Sequence, residues 1–513
     1  MTAYESLKKH FELVAGLRNA TGLLQHDAEL FMPTGSMEDR AHQVEALGTV
    51  SHRMMTAPEV AGWLDAAEKD AASLPPADRR NLQLMRRAWV QATALPEEMA
   101  AQRALLETKG NEAHIKFRKG EAGWGDVRPF YTEAFDLART AGEMTKDALG
   151  VKTPYDASLA YWNSDIDDAD VTKAFDVLEK ELTGLIQKAV AQQKKKPAPL
   201  PLKGPFPRAQ QKELMKRLAG AMGFDFARGR IDVTAGHPAS NGTPDDARFT
   251  LNIDENDFLS QMVFCVTHEA GHALYDQNLP AAWRHQPVGA AMGMNIHEMC
   301  SRIMELHICR SLEFFQYLEK EARDVFNRPD DPALDAKNLQ ALAYRVQPSL
   351  VRLDADEVTY AAHIVLRHRI ERDVINNGMS VDDIPAAWNK GMKELLGITP
   401  ASAQEGCGQD GHWPTYGIGY FPSYTLGDMG AAQVYAAALK AKPEIPSEIA
   451  KGNFKPALDW MTDNIYSKGS LLTTDELFTQ ATGEKLNLKY FLEHLRKRYL
   501  GMPPATAAPH PAP

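Results

Sequence analysis

The sequence is poor in cysteine. Its 513 residues hold four, Cys265, Cys300, Cys309 and Cys407, and none pair as C-x-x-C. That argues against a disulfide scaffold and for a reducing compartment with buried, inert thiols. Long apolar runs are missing as well. No stretch approaches 18 uninterrupted apolar residues, so a transmembrane helix is not expected. The opening MTAYESLKKHFELVAGL lacks the apolar run of a secretory signal, and the cytoplasm is the expected location. A basic excess is also absent: 57 Lys+Arg face 68 Asp+Glu, for a formal charge of -11. Non-specific nucleic-acid binding needs the opposite balance. Neither nucleic acid nor membrane is therefore an expected partner.

What is present is a globular composition, 44% hydrophobic and 24% charged. The length exceeds one ordinary core, so two lobes or two domains are expected. Helical periodicity dominates. YESLKKHFELVAGL places Leu7, Phe11, Leu13 and Val14 near one face. NLQLMRRAWVQATAL, VTKAFDVLEKELTGLIQKAV, KELMKRLAGAMGF, SLEFFQYLEKEARDVF and PAAWNKGMKELLG read the same way. Asp170 is a candidate N-cap, and Pro385 suits a first helical turn. KKKPAPLPLKGPFP (194–207) reads as an exposed connection. RFTLNI (248–253) alternates apolar and polar residues and predicts a strand, with a second at RIDVTA (230–235). The tail PPATAAPHPAP (503–513) has no face to bury and is expected to be disordered.

One stretch carries chemistry. NDFLSQMVFCVTHEAGHALYDQN (256–278) has helical length, no proline, and Asn256 or Asp254 to cap it. On a helix, residues four apart share a face, so His268 and His272 can grip one ion. Glu269 lies about 100° round the axis, where a general base for a water on that ion belongs. Zinc takes neutral imidazole at roughly 2.0–2.1 Å and, in catalytic sites, keeps a position for water whose pKa falls to about 7. Glu269 would take that proton and pass it to the leaving amine. The bland alternative is a chance H-E-x-x-H, but on a buried helix face such polar residues are costly unless paired or ligated.

A third ligand is required. The metzincin pattern would place histidine at position 278, which is Asn278. The helix-like NIHEMCSRIMELHICRS (295–311) offers His297, Glu298, Glu305 and His307, and Asp276 is also in reach. Residue chemistry alone leaves these open.

Further motifs add a resemblance. Asp246, Arg248 and Thr250 form D-x-R-x-T. VRLDAD (351–356) matches [IV]-R-x-x-A-D, and GCGQDGHW (406–413) matches G-x-x-Q-D-x-H-W. In this order, with H-E-x-x-H, the chain resembles the carboxypeptidase Taq family of metallocarboxypeptidases. Two positions depart from the family pattern: Ala239 where H-P-F is usual, and Met299 where H-E-S is usual. Neither removes a ligand or the base.

The resemblance implies a mainly α, two-lobed fold with a deep groove and a small β-sheet, similar to angiotensin-converting enzyme and neurolysin. It implies one large domain over 1–502, with the working motifs in 237–424. It implies Glu298 as third ligand and one divalent ion per chain, zinc first, with cobalt or manganese as substitutes. It also implies a homodimer that releases single residues from peptide C-termini, broadly selective and poor on C-terminal proline. An endo-oligopeptidase or dipeptidase with the same site, and a silent peptide-binding protein, are the competing readings.

Substrate recognition needs a fixed cation for a free α-carboxylate, and Arg352 in VRLDAD is the candidate. Its bland alternative is a salt bridge to Asp354, Asp356 or Glu357. Arg248 is expected to be structural. The glycine-rich, aromatic run 408–427 is expected to bring His412, Tyr416, Tyr420 and Tyr424 to the cleft. By resemblance, His412 and Tyr420 support the transition state, with Tyr424 the competitor. Gln409 and Asp410 are expected to orient His412, and His237 is a cleft or core histidine.

Overall fold

The computed structural model describes residues 1–234, 236 and 238–502. His237 and the tail 503–513 lie outside the described residues. The expected helices are there. The first spans Ala3–Leu30, with Leu7, Phe11 and Val14 buried. Leu13, placed on the same face by sequence, is 62% exposed. Positions 7, 11 and 14 already complete the i, i+4, i+7 stripe, and residue 13 falls outside it. The helix Asp168–Gln193 is capped by Asp167, not Asp170, because Asp167 is extended and its carboxylate accepts from Asp170 N. Ser311 caps Leu312–Val325. Pro385 sits in the first turn of Ile384–Leu396, which ends at left-handed Gly397 (φ 72°). Residues 194–207 connect two helices without regular structure of their own beyond turns.

The helices pack around two large apolar cores, one per lobe. The first gathers Phe206, Phe249, Leu274, Phe314 and Phe454. The second gathers Phe135, Tyr155, Trp388 and Trp413. At roughly 1.5–3 kcal/mol per fully buried large apolar side chain, each core is a stiff wall. A smaller third core joins the N-terminal helices through Leu7, Leu64 and Met85. Among the described residues no helix is long and apolar enough to cross a membrane.

The sheet has three strands in the order β1-β3-β2, with β1 Gly229–Val233, β2 Ser240–Thr243 and β3 Asp246–Leu251. β1 pairs parallel to β3, with Ile231 opposite Phe249. β2 pairs antiparallel, with Asn241 opposite Arg248. β3 is the strand read from alternation, though it stops before Ile253. β2 was not anticipated, since Ser-Asn-Gly-Thr has no alternating apolar face.

Five helices, labelled in chain order, build the site: α1 Phe264–Gln277, α2 Met294–Arg302, α3 Tyr360–Asn376, α4 Pro422–Ala441 and α5 Lys489–Leu500. The run 256–278 is not one continuous α-helix. A widened π turn at Leu259–Val263 precedes α1. Its start is fastened by Asp257, which accepts from Ser260 N, while Asp254 serves Asn256 N. A second π turn, Ile303–Ile308, follows α2. Such turns re-aim a helix and often lie at functional sites.

Candidate metal centre and peptide cleft

His268 and His272 stand one turn apart on α1, their rings 4.9 Å apart and edge-on at 80°. Glu298 reaches them from α2. Its Oε2 lies 3.8 Å from His268 Nε2 and its Oε1 lies 3.9 Å from His272 Nε2. One ligand atom from each residue falls within 4.8 Å of the others. Donors each about 2.0–2.2 Å from one tetrahedral ion would sit about 3.3–3.6 Å apart. The two carboxylate-to-imidazole spacings are wider than this by a few tenths of an ångström, and the widest pair, within 4.8 Å, by about an ångström. Two imidazoles and a carboxylate converging this closely fit a divalent ion after a small side-chain adjustment. The helices meet closely enough for this because of glycine. A Cβ on Gly271 of α1 would lie 2.6 Å from Ser301 Cα, and one on Gly427 of α4 would lie 2.7 Å from Glu298 Cβ.

The other candidates for third ligand take places behind this set. Glu305 accepts from His268 Nδ1 at 2.9 Å, which leaves Nε2 as the free donor atom. His272 Nδ1 lies within hydrogen-bond distance of His297 Nδ1, at 2.7 Å, and His297 Nε2 faces Asp276 at 3.3 Å. Ser301 Oγ donates to Glu298 Oε2 at 3.2 Å. His307 is elsewhere, packed on His494 with ring centroids 4.2 Å apart. Glu305 pairs with Arg302 and Arg310. Burial would raise its pKa, but Arg302 and the His268 hydrogen bond outweigh that and hold it at about 2.

Glu269 is different. Its Oε2 is buried without a hydrogen-bond partner. Burial, opposed by His268 and reinforced by Glu298 and Glu305, lifts its carboxyl to about 7. An orphaned carboxylate oxygen beside three convergent donors is the mark of a group awaiting a ligand.

The facing wall carries Arg352, whose side chain is 5% exposed. Its acidic sequence neighbours are not its partner. Asp356 is taken up by backbone N–H groups of Gln347, Val358 and Thr359, and Glu357 by His494, Arg498 and Tyr499. Arg352 instead donates through Nε and Nη2 to Asp410 Oδ1, at 3.0 and 2.8 Å, and through Nη1 to Tyr360 OH at 2.8 Å. Arg367 of α3 takes the other oxygen of Asp410, with Nε at 2.9 Å. Two guanidiniums on one carboxylate leave a net positive charge. A guanidinium has five N–H donors, so about two on Arg352 remain uncommitted.

Gln409 and Asp410 thus stand behind Arg352. Gln409 Oε1 accepts from Arg352 N at 2.6 Å and from Arg367 Nη2 at 3.0 Å. His412 packs on Phe421, Tyr420 and Tyr424, at 4.5, 5.3 and 6.5 Å between ring centroids. Tyr416 does not join them. Its ring takes the Arg103 guanidinium at 4.5 Å, outside the cleft. Arg248 pairs with Asp246 on its own strand. One cavity of about 1050 Å³ is lined by His268, Glu269, Glu298, Arg352, His412, Tyr420 and Tyr424 together.

Sequence reasoning did not single out Arg302, Tyr360 or Arg367. Arg302 carried a weak signal, four residues after Glu298 on one helix face. Tyr360 and Arg367 carried none. The departures from the family pattern leave the centre intact. Met299 is buried with its sulfur beside Gly430, and Ala239 pairs through its backbone with Thr250.

A two-lobed helical fold with an H-E-x-x-H pair, a glutamate from a second helix and a cavity between them defines a helical metallopeptidase. Comparison with known proteins narrows this. The model of the carboxypeptidase Taq (M32) metallopeptidase family matches residues 6–499, and the chain belongs to that family. It is therefore a metallocarboxypeptidase hydrolase. Thermostable carboxypeptidase 1 of Thermus thermophilus is 31% identical over 98% of this chain and 99% of its own. Carboxypeptidase 1 of Bacillus subtilis is 29% identical over 96% and 97%. The solved structure of Trypanosoma cruzi metallocarboxypeptidase 1 superposes with a TM-score of 0.93 at 33% identity, covering 97% of this chain and 99% of that one. The M32 carboxypeptidase of Deinococcus radiodurans R1 gives 0.90 at 29% identity, over 97% and 98%.

Proposed function

We propose that the enzyme removes single residues from peptides with a free C-terminus. The observation that carries this reading is Arg352, a buried cation with donors to spare, opening on the same cavity as His268, His272 and Glu298. A charge-assisted pair with a terminal carboxylate fixes which peptide bond lies at the centre. A divalent ion, zinc as first choice with cobalt or manganese as substitutes, would be held by His268, His272 and Glu298 and supplies there a Lewis acid for the scissile carbonyl and acidification of water.

The chain's own residues do the rest. Glu269 takes a proton from the attacking water and delivers it to the departing amine. Its buried carboxyl, with one oxygen left without a hydrogen-bond partner, is free to accept and release that proton. His412 and Tyr420 donate to the developing oxyanion, with Tyr424 beside Arg352 as a substrate contact. Gln409 and Asp410 hold Arg352 in place. The large cavity accommodates varied terminal side chains. A terminal proline is a poor substrate, because its ring fixes φ and its nitrogen carries no N–H. A single domain over 1–502, a cytoplasmic setting and a homodimer complete the reading.

The test is a peptide ladder read by mass spectrometry, with free and amidated C-termini side by side. One-residue steps on the free peptide and none on the amidated one are expected. Equal turnover of both would refute the reading in favour of an endopeptidase. Glu269→Gln should retain metal and lose hydrolysis, and an active variant would remove Glu269 from its role.

A further inference from the structure

The loop that carries His412 and Tyr420 takes its local shape from short turns. Gly417 N donates to His412 O, and Thr415 Oγ1 to Gly411 O. Such contacts shape a loop but do not locate it against another helix. Location comes in part from Trp162, at the end of the helix Pro154–Trp162, whose Nε1 donates to Ile418 O at 3.0 Å, and otherwise from α3. Arg367 and Glu371 lie one turn apart on it. Arg367 grips Asp410 and Gln409 at the start of the loop. Glu371 is 0% exposed and grips the remainder. Its Oε1 accepts from Trp413 Nε1 at 2.7 Å, and its Oε2 accepts from Gly419 N at 3.1 Å and from Tyr155 OH at 2.7 Å. Trp413 directly follows His412, and Gly419 directly precedes Tyr420. One buried carboxylate therefore clamps the neighbours of both proposed transition-state donors.

A carboxylate is an expensive way to fill space in a core. Its chemical advantage here is two acceptor oxygens. An amide of the same shape has one, and would turn a donor toward a donor. Gly419 leaves no slack: its φ is 80°, and an added Cβ would lie 2.7 Å from Ser158 C.

We propose that Glu371 is a positioning residue that helps set both His412 and Tyr420 against the metal centre. This rests on their assignment as oxyanion donors under the proposed function. Glu371 touches no substrate and acts through Trp413 and Gly419.

The test is Glu371→Gln in the full chain, assayed beside His412→Ala and Tyr420→Phe. Glu371→Gln should lower kcat at least about tenfold, as expected when a donor is misplaced by a fraction of an ångström to an ångström. KM and metal affinity should stay within about twofold. Affinity for a phosphinic peptide, a tetrahedral transition-state mimic, should weaken by the same factor as kcat/KM. If Glu371→Gln yields no folded protein, Trp413→Phe, which removes the donor to Oε1, is read by the same criteria. Loss of kcat in His412→Ala or Tyr420→Phe with wild-type kcat in Glu371→Gln overturns the positioning role alone. Wild-type kcat in both donor variants overturns the donor assignment and this inference with it. Parallel loss of metal binding and melting temperature in Glu371→Gln, with no selective effect on the phosphinic peptide, also overturns it.

Discussion

Glu305→Gln separates a proposed metal ligand from the residue behind it. In the native protein the Glu305 carboxylate accepts from His268 Nδ1 at 2.9 Å. An amide in its place can still accept, but without charge. Hydrogen bonds to a charged partner are worth about 1.5–3 kcal/mol and neutral ones about 0.5–1.5. The difference of about 1–1.5 kcal/mol corresponds to roughly tenfold in metal affinity. That agrees with the 10–100-fold range for losing an outer hydrogen-bond partner of a metal-binding histidine. Glu298→Ala, by contrast, deletes a proposed ligand and should cost well over about 100-fold. The assay is competition between apo-protein and a chromophoric chelator at fixed pH, with circular dichroism to confirm folding. Full metal affinity in Glu298→Ala, or a greater loss in Glu305→Gln than in Glu298→Ala, would refute the assignment and make Glu305 the ligand. No change in Glu305→Gln would mean that the hydrogen bond does not tune His268.

Arg352→Ala should reduce kcat/KM for peptides with free C-termini by at least about 100-fold, the scale of a lost charge-assisted pair, and leave metal affinity within a few fold. Equal damage to both would make Arg352 purely structural. Gly427→Ala places a Cβ 2.7 Å from Glu298 Cβ, so α2 must shift. Overpacking of this kind costs about 1–3 kcal/mol, and melting temperature and metal affinity should fall together. Unchanged metal affinity would show that Glu298 is not held by this contact. Glu357 predicts the acid limb of stability. Burial would raise its pKa, but Arg498 and His494 outweigh it and hold the carboxyl well below the usual range. With the folded pKa depressed, the stabilisation is present above the unfolded value, about 4.3, and is lost as pH falls through the folded value. Glu357→Gln leaves Arg498 buried without its partner, so it should cost about 3–5 kcal/mol at pH 7 and much less in acid. A melting curve whose mutant-to-native gap is the same at pH 7 and pH 3 would contradict this.

The features legible in the sequence are those set by neighbours in the chain. His268 and His272 share a face because they are four apart, and the apolar stripe of each long helix follows the same rule. Glu298 and Glu305 mark where that logic stops. Seven residues apart, they lie within about 20° on an ideal helix, so periodicity points both toward α1. What separates them is height along the axis, set where Gly271 and Gly427 let three helices close together. The family resemblance supplied Glu298 when the residue pattern left it open. The partner of Arg352 was hidden for a similar reason. Asp410 is 58 residues away, and three nearer acids offered themselves first. The π turns and β2 left no trace because neither carries a periodic apolar pattern.

The pairing of two guanidiniums with a single carboxylate has a bearing on turnover. A lone desolvated arginine would clasp a carboxylate so firmly that the freed amino acid, which bears the same group, would leave slowly. Under the role proposed for Arg352, sharing Asp410 with Arg367 would temper in advance its attraction for an incoming chain terminus. On that proposal, selectivity for a free end would be kept, and the spent end would depart before the shortened peptide returns for its next cut.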